Sequence, residues 1–499
     1  MTPAETHRGP RVHAVDREDV LRHARKFAAL LDALGVDQRA TVALLGGNTP
    51  HFMWALRGAT WSGRKVVPLS WRWTAEDIDY VLGDSRATVL VADAAHASLV
   101  GAAHLPSGAI RFAMNGEIEG FRSLEAELST QPDHPDILDL AGDIMPYTSG
   151  TTGRPKGVVR PTQDGPPPTF SALRGAAMLE RTPGAADGPH LVCTPIYHAA
   201  PLFYSDGALL LGTDLVLMEK FDPEGLLAAI EEHQVASVFM VPTQFVRLLA
   251  LPQEVRDRHD LSSLRLVVHG SAPVAPTVKE AMIAWFGPVL YEFYGGSEGG
   301  GSTGISSTEW LAHRGSVGKV VSGSAIRILD EDGNELPPHT EGQVWFDGGQ
   351  EWSYRDAPEK TQRARRGSMS TLGDIGYLDE EGYLYLCDRR TDLILTGGMN
   401  VYPNQVENAF AGHPGIADIC VVGVSDAEWG QRVTAVVELR PGWEPDESTR
   451  EALTRHARER LASYQAPKRI EFVTALPRTE TGKLSRLAVR ESLEDRTNA

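Results

Sequence analysis

Tyr147-Thr148-Ser149-Gly150-Thr151-Thr152-Gly153-Arg154-Pro155-Lys156-Gly157 concentrates hydroxyls, glycines and one lysine in a stretch too polar for a core. Its three glycines free the backbone to present N–H groups. Thr148, Ser149, Thr151 and Thr152 add donors that can swing toward an anion. Lys156 brings a mobile positive charge, and Pro155 stiffens the approach to it. A concave run of backbone donors with a lysine is what a polyphosphate requires. The bland alternative is a flexible Ser/Thr/Gly linker, for which Arg-Pro-Lys is an odd insert. The stretch also departs from the common phosphate loop, where Ser or Thr follows the lysine. Gly157 stands there instead, so a different fold is implied.

Around this stretch the chain alternates strand and helix. Val20, Leu21, Ala24, Phe27, Ala28, Leu31 and Leu34 fall on one helical face, with Gly35 as a stop signal. Thr41 to Leu45 and Ala87 to Ala92 read as buried strands, and Thr74 to Asp77 as a capping box. After the loop, Asp222 caps a helix opened by Pro223. Ala236 to Val241 and Leu264 to His269 are further strands, with a helix over Thr243 to Leu251 between them. Such alternation predicts mainly parallel sheets covered on both faces. From about Gly315 the pattern becomes strand and turn, including Asp332-Gly333-Asn334, and predicts an antiparallel subdomain. From Thr391 onward a small α+β unit is expected, ending in a charged, exposed helix after Arg486. The fold class is therefore α/β, with a large domain over 1–390 and a small one over 391–499.

The totals agree. A chain of 499 residues exceeds one ordinary core. Its net charge of −18 argues against nucleic acid or an anionic membrane as a general partner. Cys193, Cys387 and Cys420 are too sparse for a disulfide framework or a zinc site. The polar N-terminus carries no secretion signal and no run is long enough to insert in a membrane, so the cytoplasm is expected.

Other short motifs each have a plain reading beside a functional one. Glu298 follows a strand ending near Phe293, on the turn Tyr294-Gly295-Gly296-Ser297. A carboxylate past a strand end suits Mg²⁺, or it is a solvated turn residue. Asp374, between Gly373 and Gly376, can accept both hydroxyls of a ribose, or simply close a turn. Asp388-Arg389-Arg390-Thr391-Asp392 before Gly397-Gly398 suits a domain junction or an exposed salt-bridged loop. Lys483 in Thr481-Gly482-Lys483 is a movable point charge or a surface lysine. His198 follows the strand Leu191 to Cys193 and Pro195-Ile196-Tyr197; a lone histidine is commonly a loop or core residue.

Taken in order from Thr41 to Lys483, these motifs resemble the ATP-dependent adenylating superfamily of acyl-CoA synthetases, adenylation domains and luciferases, with details most like bacterial acyl-CoA synthetases. The resemblance implies that Thr148, Ser149, Gly150, Thr151, Thr152, Gly153 and Lys156 hold phosphates. It implies that Gly270, Ser271 and Ala272 line adenine opposite Tyr294, that Gly295, Ser297 and Glu298 hold the nucleotide and its magnesium, and that Asp374 and Arg389 hold the ribose side. His198, with Ser271 and Gly296, would border the acid pocket, and Gly397 and Gly398 the CoA channel. Lys483 would enter the site only for adenylation, and Thr391 would be the hinge of a mobile lid. The chain departs from the usual pattern at Ser297 (commonly Thr), Asp388 (commonly Gly) and Thr391 (commonly Asp or Lys). The implied reaction is ATP-dependent activation of a small-molecule acid as acyl-AMP, then thioester formation with CoA. The alternatives are loading of a carrier protein, activation of nitrite for diazotising an aromatic amine in bacterial secondary metabolism, and a nucleotide-binding regulatory protein without catalysis. No general base is expected, because a carboxylic acid is already ionised at neutral pH.

Overall fold

Every residue of the strand Thr41–Leu45 is buried, as a strand covered on both faces requires. It pairs in parallel with Lys65–Leu69 and Ala87–Asp93, and Ile110–Met114 continues the ladder. Helices Arg17–Ala33 and Pro50–Thr60 pack on each other beside it, capped by the side chains of Asp16 and Thr49. The capping box opens helix Ala75–Ser85, with reciprocal bonds between Thr74 and Asp77. The computed structural model describes residues 11–103, 108–133, 139–148, 155–161, 165, 167–321, 323–389, 392–396, 399–426, 429–478 and 484–498.

A second parallel array runs in the order Leu215–Met218, His190–Val192, Ser237–Met240, Leu266–His269, Leu290–Gly295. Val12–Val15 closes its outer edge in the antiparallel sense. The antiparallel part begins earlier than the expected Gly315 and is not a separate sheet. Ser302–Ser306 already pairs antiparallel with Leu290–Gly295. The ladder then runs on through Ser316–Val320, Leu384–Arg389 and Asp374–Leu378 to Gly342–Asp347. Ser302-Thr303-Gly304 lacks the apolar alternation that marks a strand in sequence. It enters the sheet because Gly304, and Gly318 on the neighbouring strand, permit close approach: a Cβ on Gly304 would come 2.1 Å from the Tyr291 hydroxyl, and one on Gly318 2.0 Å from the Gly304 carbonyl.

Two buried polar contacts fix the elements around the site. The Asn48 amide donates to the carbonyls of Val192, Thr194 and Met218 and accepts from the Ile196 N–H at 2.9 Å. It thus joins the first sheet to the strand ends of the second. Arg57 and Asp206 form an ion pair at 2.6 Å with both side chains sealed from solvent. Thr169 and Ser171 donate to the same Asp206 carboxylate, tying helix Phe170–Leu179 to helix Ala199–Leu210. The two helices touch through Gly175 and Gly207; a Cβ on Gly175 would lie 1.8 Å from the Phe203 carbonyl.

From Ile394 a second core forms. Gly430–Leu439 pairs with Ile416–Asp426 and Arg469–Val473, and Val401, Val406, Phe410, Val421 and Leu453 pack beneath. The terminal helix Arg486–Asn498 is not merely an exposed end. Val489 and Leu493 are buried against Cys420, Val422 and Val424, because these two fall four apart on one face. Among the described residues no helix is long and apolar enough to cross a membrane.

Candidate active site

The strand Leu290–Gly295 lies where the sheet changes from parallel to antiparallel pairing. A strand end at such a change of order leaves a crevice between the diverging loops. Glu298 lies there, 8% exposed, and its Oε1 accepts a 2.8 Å hydrogen bond from the Tyr354 hydroxyl. Gly296 is pressed against that carboxylate and Leu372; a Cβ there would come 2.4 Å from Glu298 Oε2. The Ser297 carbonyl accepts from Arg160, whose other Nη donates to the Ile144 carbonyl. One buried arginine therefore fixes the carboxylate turn to the strand that follows the phosphate loop.

Tyr294 and Asp374, eighty positions apart, meet directly: the tyrosine hydroxyl donates to Asp374 Oδ2 at 2.6 Å. Asp374 is buried at the start of Asp374–Leu378. The turn before it is set by Thr371, whose hydroxyl donates to the Val344 carbonyl and accepts from the Gly373 N–H. The register places Arg389 opposite Asp374 on the neighbouring strand. Ser271 holds a left-handed backbone, φ 67°, just after Leu266–His269. A non-glycine residue in that region stores strain that the surrounding structure must hold. Gly270 beside it lies against Phe293; a Cβ there would meet the Phe293 carbonyl at 2.6 Å.

The phosphate stretch closes a hairpin in which Tyr147 faces Gly157 and Thr148 faces Lys156. Ser149, Gly150, Thr151, Thr152 and Gly153 lie outside the described residues, as do Thr391, Gly397, Gly398 and Lys483. The Lys156 ammonium stands 5.6 Å from the Tyr354 ring. Desolvation pushes its pKa down to about 8, the neighbouring Lys360 pushes the same way, and Glu298 opposes them. Two lysines crowded at one end of a hairpin form a local field suited to an anion, despite the acidic chain.

His198 is the N-cap residue of Ala199–Leu210, its ring tilted against that of Tyr197 with centroids 4.3 Å apart, and its Nε2 is sealed and without a partner. Burial pushes its pKa down to about 4, helped by Arg72. It is neutral at pH 7.

The donor set fits a magnesium nucleotide. Glu298 offers one carboxylate, and a nucleotide-borne Mg²⁺ takes only one or two. Among the described residues no group of three His, Cys, Asp or Glu side chains gathers as a dedicated metal cage. Tyr354, Arg160 and Lys360 escape sequence reasoning. Tyr354 and Lys360 sit in the unremarkable stretch Trp352 to Thr361, and Arg160 reads as the polar end of a short strand. Only the strand pairing of Ser353–Tyr354 with Val158–Val159 brings Tyr354 to the site.

Two family models match: "AMP-binding enzyme" over residues 13–351 and "AMP-binding enzyme C-terminal domain" over residues 405–483. A feruloyl-CoA synthase from an Amycolatopsis species is 33% identical over 96% of this chain and 94% of its own. A medium/long-chain fatty-acid–CoA ligase from Mycobacterium tuberculosis is 31% identical, over 93% of this chain and 83% of its own. Among solved structures, an amide bond synthetase from Marinactinospora thermotolerans superposes with a TM-score of 0.80 at 28% identity, covering 95% of this chain and 94% of that one.

Proposed function

Because the chain belongs to the AMP-binding enzyme family, we propose that it is an AMP-forming acid–thiol ligase that activates a small carboxylic acid with ATP and transfers the acyl group to coenzyme A. The observation that carries this reading is the gathering of Glu298, Tyr294 and Asp374 around the end of strand Leu290–Gly295, with Lys156 beside Tyr354 and the turn held by Tyr354 and Arg160. Residues 1–390 are the nucleotide- and acid-binding domain in this reading, and 391–499 a lid that turns about Thr391.

In the first half-reaction the substrate carboxylate attacks the α-phosphorus in line. A carboxyl-oxygen–phosphorus bond forms, the bond to the bridging oxygen breaks, and pyrophosphate leaves. Lys156 and the loop donors hold the departing phosphates, and Lys483 faces the charge that develops at the reacting centre. Glu298 would hold Mg²⁺, which when bound neutralises phosphate charge. Asp374 and Tyr294 orient the nucleoside. Neutral His198 borders the acid without adding a second charge. No base is needed for this step, since the acid is already ionised. In the second half-reaction the lid withdraws Lys483 and brings Gly397-Gly398 beside the thiol channel. The thiolate attacks the acyl carbon, and AMP leaves with the oxygen.

The test is pyrophosphate release against fatty acids, aryl acids and nitrite, each with and without CoA. Release with an organic acid, together with a CoA thioester by mass, supports the ligase. Release with nitrite, or with an acid but no thioester, moves the function to diazotisation or carrier loading. The likeness to an amide bond synthetase supports a second reading, transfer of the acyl group to an amine. An amide product formed in preference to the thioester would establish it.

A further inference from the structure

Lys279 carries its charge into the core. It stands in the first turn of helix Pro276–Phe286, the crossover between strands Leu266–His269 and Leu290–Gly295, and its side chain is sealed from solvent. The ammonium meets Glu292 Oε2 at 2.5 Å and lies 4.7 Å from the centre of the buried Trp310 ring. Trp310 belongs to helix Ser307–Ala312, which is tied to the same strand. There the Ser307 hydroxyl accepts from the Leu290 N–H at 3.0 Å and donates to the Leu290 carbonyl at 2.9 Å. Glu292 is 6% exposed. Replacing a buried ion pair by apolar side chains of like volume is commonly neutral or stabilising, so stability alone does not account for this one.

Its position does. The turn 270–275 runs from the end of Leu266–His269 to the start of the helix, and Glu292 faces the elements at both its ends. At one end His269 is the cross-strand partner of Glu292. Its ring is fully buried, edge-on to Phe245 at 5.1 Å, with no hydrogen-bond partner on either nitrogen. At the other end the Val278 and Lys279 N–H groups donate to the Ala275 carbonyl and close the first helical turn, which has no side-chain cap. Between the two lies Ser271 with its left-handed φ of 67°, a conformation that persists only where the surroundings hold it. Tyr294 follows Glu292 by two residues, on the same face of the strand and roughly 7 Å further along. The buried pair is thus one side-chain layer beneath the turn and the tyrosine that flank adenine in the ligase reading above.

We infer that Lys279 and Glu292 are positioning residues for the nucleotide: their ion pair fixes the start of the helix against strand Leu290–Gly295, and so sets the spacing between the 270–272 turn and Tyr294 across the base. This rests on the ligase reading above.

The experiment measures the ATP Kd by calorimetry without acid, and the KM values of ATP and of the best acid from the panel above in pyrophosphate release. It compares wild type, Glu292→Gln and the apolar pair Lys279→Met/Glu292→Leu. GTP is run beside ATP, and thermal midpoints are recorded. The apolar pair should keep a midpoint close to that of wild type. It should raise the Kd and KM for ATP about 10-fold and narrow the preference for ATP over GTP, with the acid KM unchanged within about twofold. Glu292→Gln, which keeps the shape and an acceptor oxygen, should fall between. Wild-type ATP affinity in the apolar pair overturns the inference. Equal loss for ATP and acid also overturns it, by making the pair structural only. Hydrogen exchange on the wild type decides the matter even where a variant fails to fold. The Val278 and Lys279 amides should be equally protected with and without ATP, and protection that appears only with ATP overturns the inference. A wild type that binds no ATP would instead overturn the ligase reading, and the positioning role with it.

Discussion

Removing one oxygen atom from Tyr354 tests how Glu298 is held. The Tyr354 hydroxyl donates to Glu298 Oε1 at 2.8 Å, and the carboxylate is buried. Tyr354→Phe deletes that donor and keeps the ring facing Lys156. A hydrogen bond to a charged group contributes about 1.5–3 kcal/mol. If Glu298 holds magnesium in the orientation this bond sets, the adenylation rate at limiting Mg²⁺ should fall by about 10- to 150-fold. High Mg²⁺ should restore part of the rate. Tyr354→Leu also removes the aromatic face, and its further loss should track Lys156, adding about 0.5–1 kcal/mol. The assay is pyrophosphate release at saturating ATP and acid, with free Mg²⁺ titrated. A Tyr354→Phe enzyme with an unaltered Mg²⁺ dependence and a rate within about twofold of wild type would refute the reasoning, because a 1.5 kcal/mol bond cannot vanish unseen.

Lys483→Ala should abolish acyl-AMP formation and spare thiolysis of supplied acyl-AMP; equal loss of both would remove the two-conformation lid. Asp206→Ala leaves Arg57 buried and unpaired, and should destabilise the protein by roughly 3–5 kcal/mol in denaturant unfolding; a loss below about 1 kcal/mol would show that the pair is not anchoring the two helices. Burial pushes the His190 pKa down to about 3, from an unfolded value near 6.5. The unfolded chain therefore binds the extra proton first, and stability falls as pH drops below about 6.5. His190 alone should contribute roughly 2 kcal/mol of loss at pH 5, with His198 and His269 shifted in the same direction. Chemical denaturation at pH 7 and pH 5 checks this, and equal stabilities would contradict the neutral-histidine assignment.

The strings that announce the site are short and local. Tyr147 to Gly157, Tyr294 to Glu298 and Thr371 to Gly376 declare themselves by composition, because glycine and hydroxyl clusters at strand ends have few other uses. The alternating elements were equally legible, since the buried strands Thr41–Leu45 and Leu266–His269 carry continuous apolar runs. What stayed hidden depends on register. Nothing in the string sets the Tyr294 hydroxyl on Asp374, or Tyr354 on Glu298; each contact is made by pairing of strands far apart. The early turn to antiparallel pairing was missed for a related reason. Ser302–Ser306 qualifies as a strand through close backbone approach, a property of its neighbours as much as its own. The terminal helix looked exposed because its charges outnumber the two apolar residues that dock it.

The Asn48 side chain reaches partners 144 to 170 positions away. Closing loops of that length is slow compared with forming a helix or a hairpin. During synthesis the first sheet can fold early, but the loop bearing His198 cannot settle until the chain through Met218 has emerged and docked. The mouth of the candidate acid site is thus among the late events of assembly, shaped by a segment that is already in place. Stalled or truncated chains would carry a formed first sheet with Asn48 still waiting for its carbonyls, and would lack an acid site even where every residue lining it had been made.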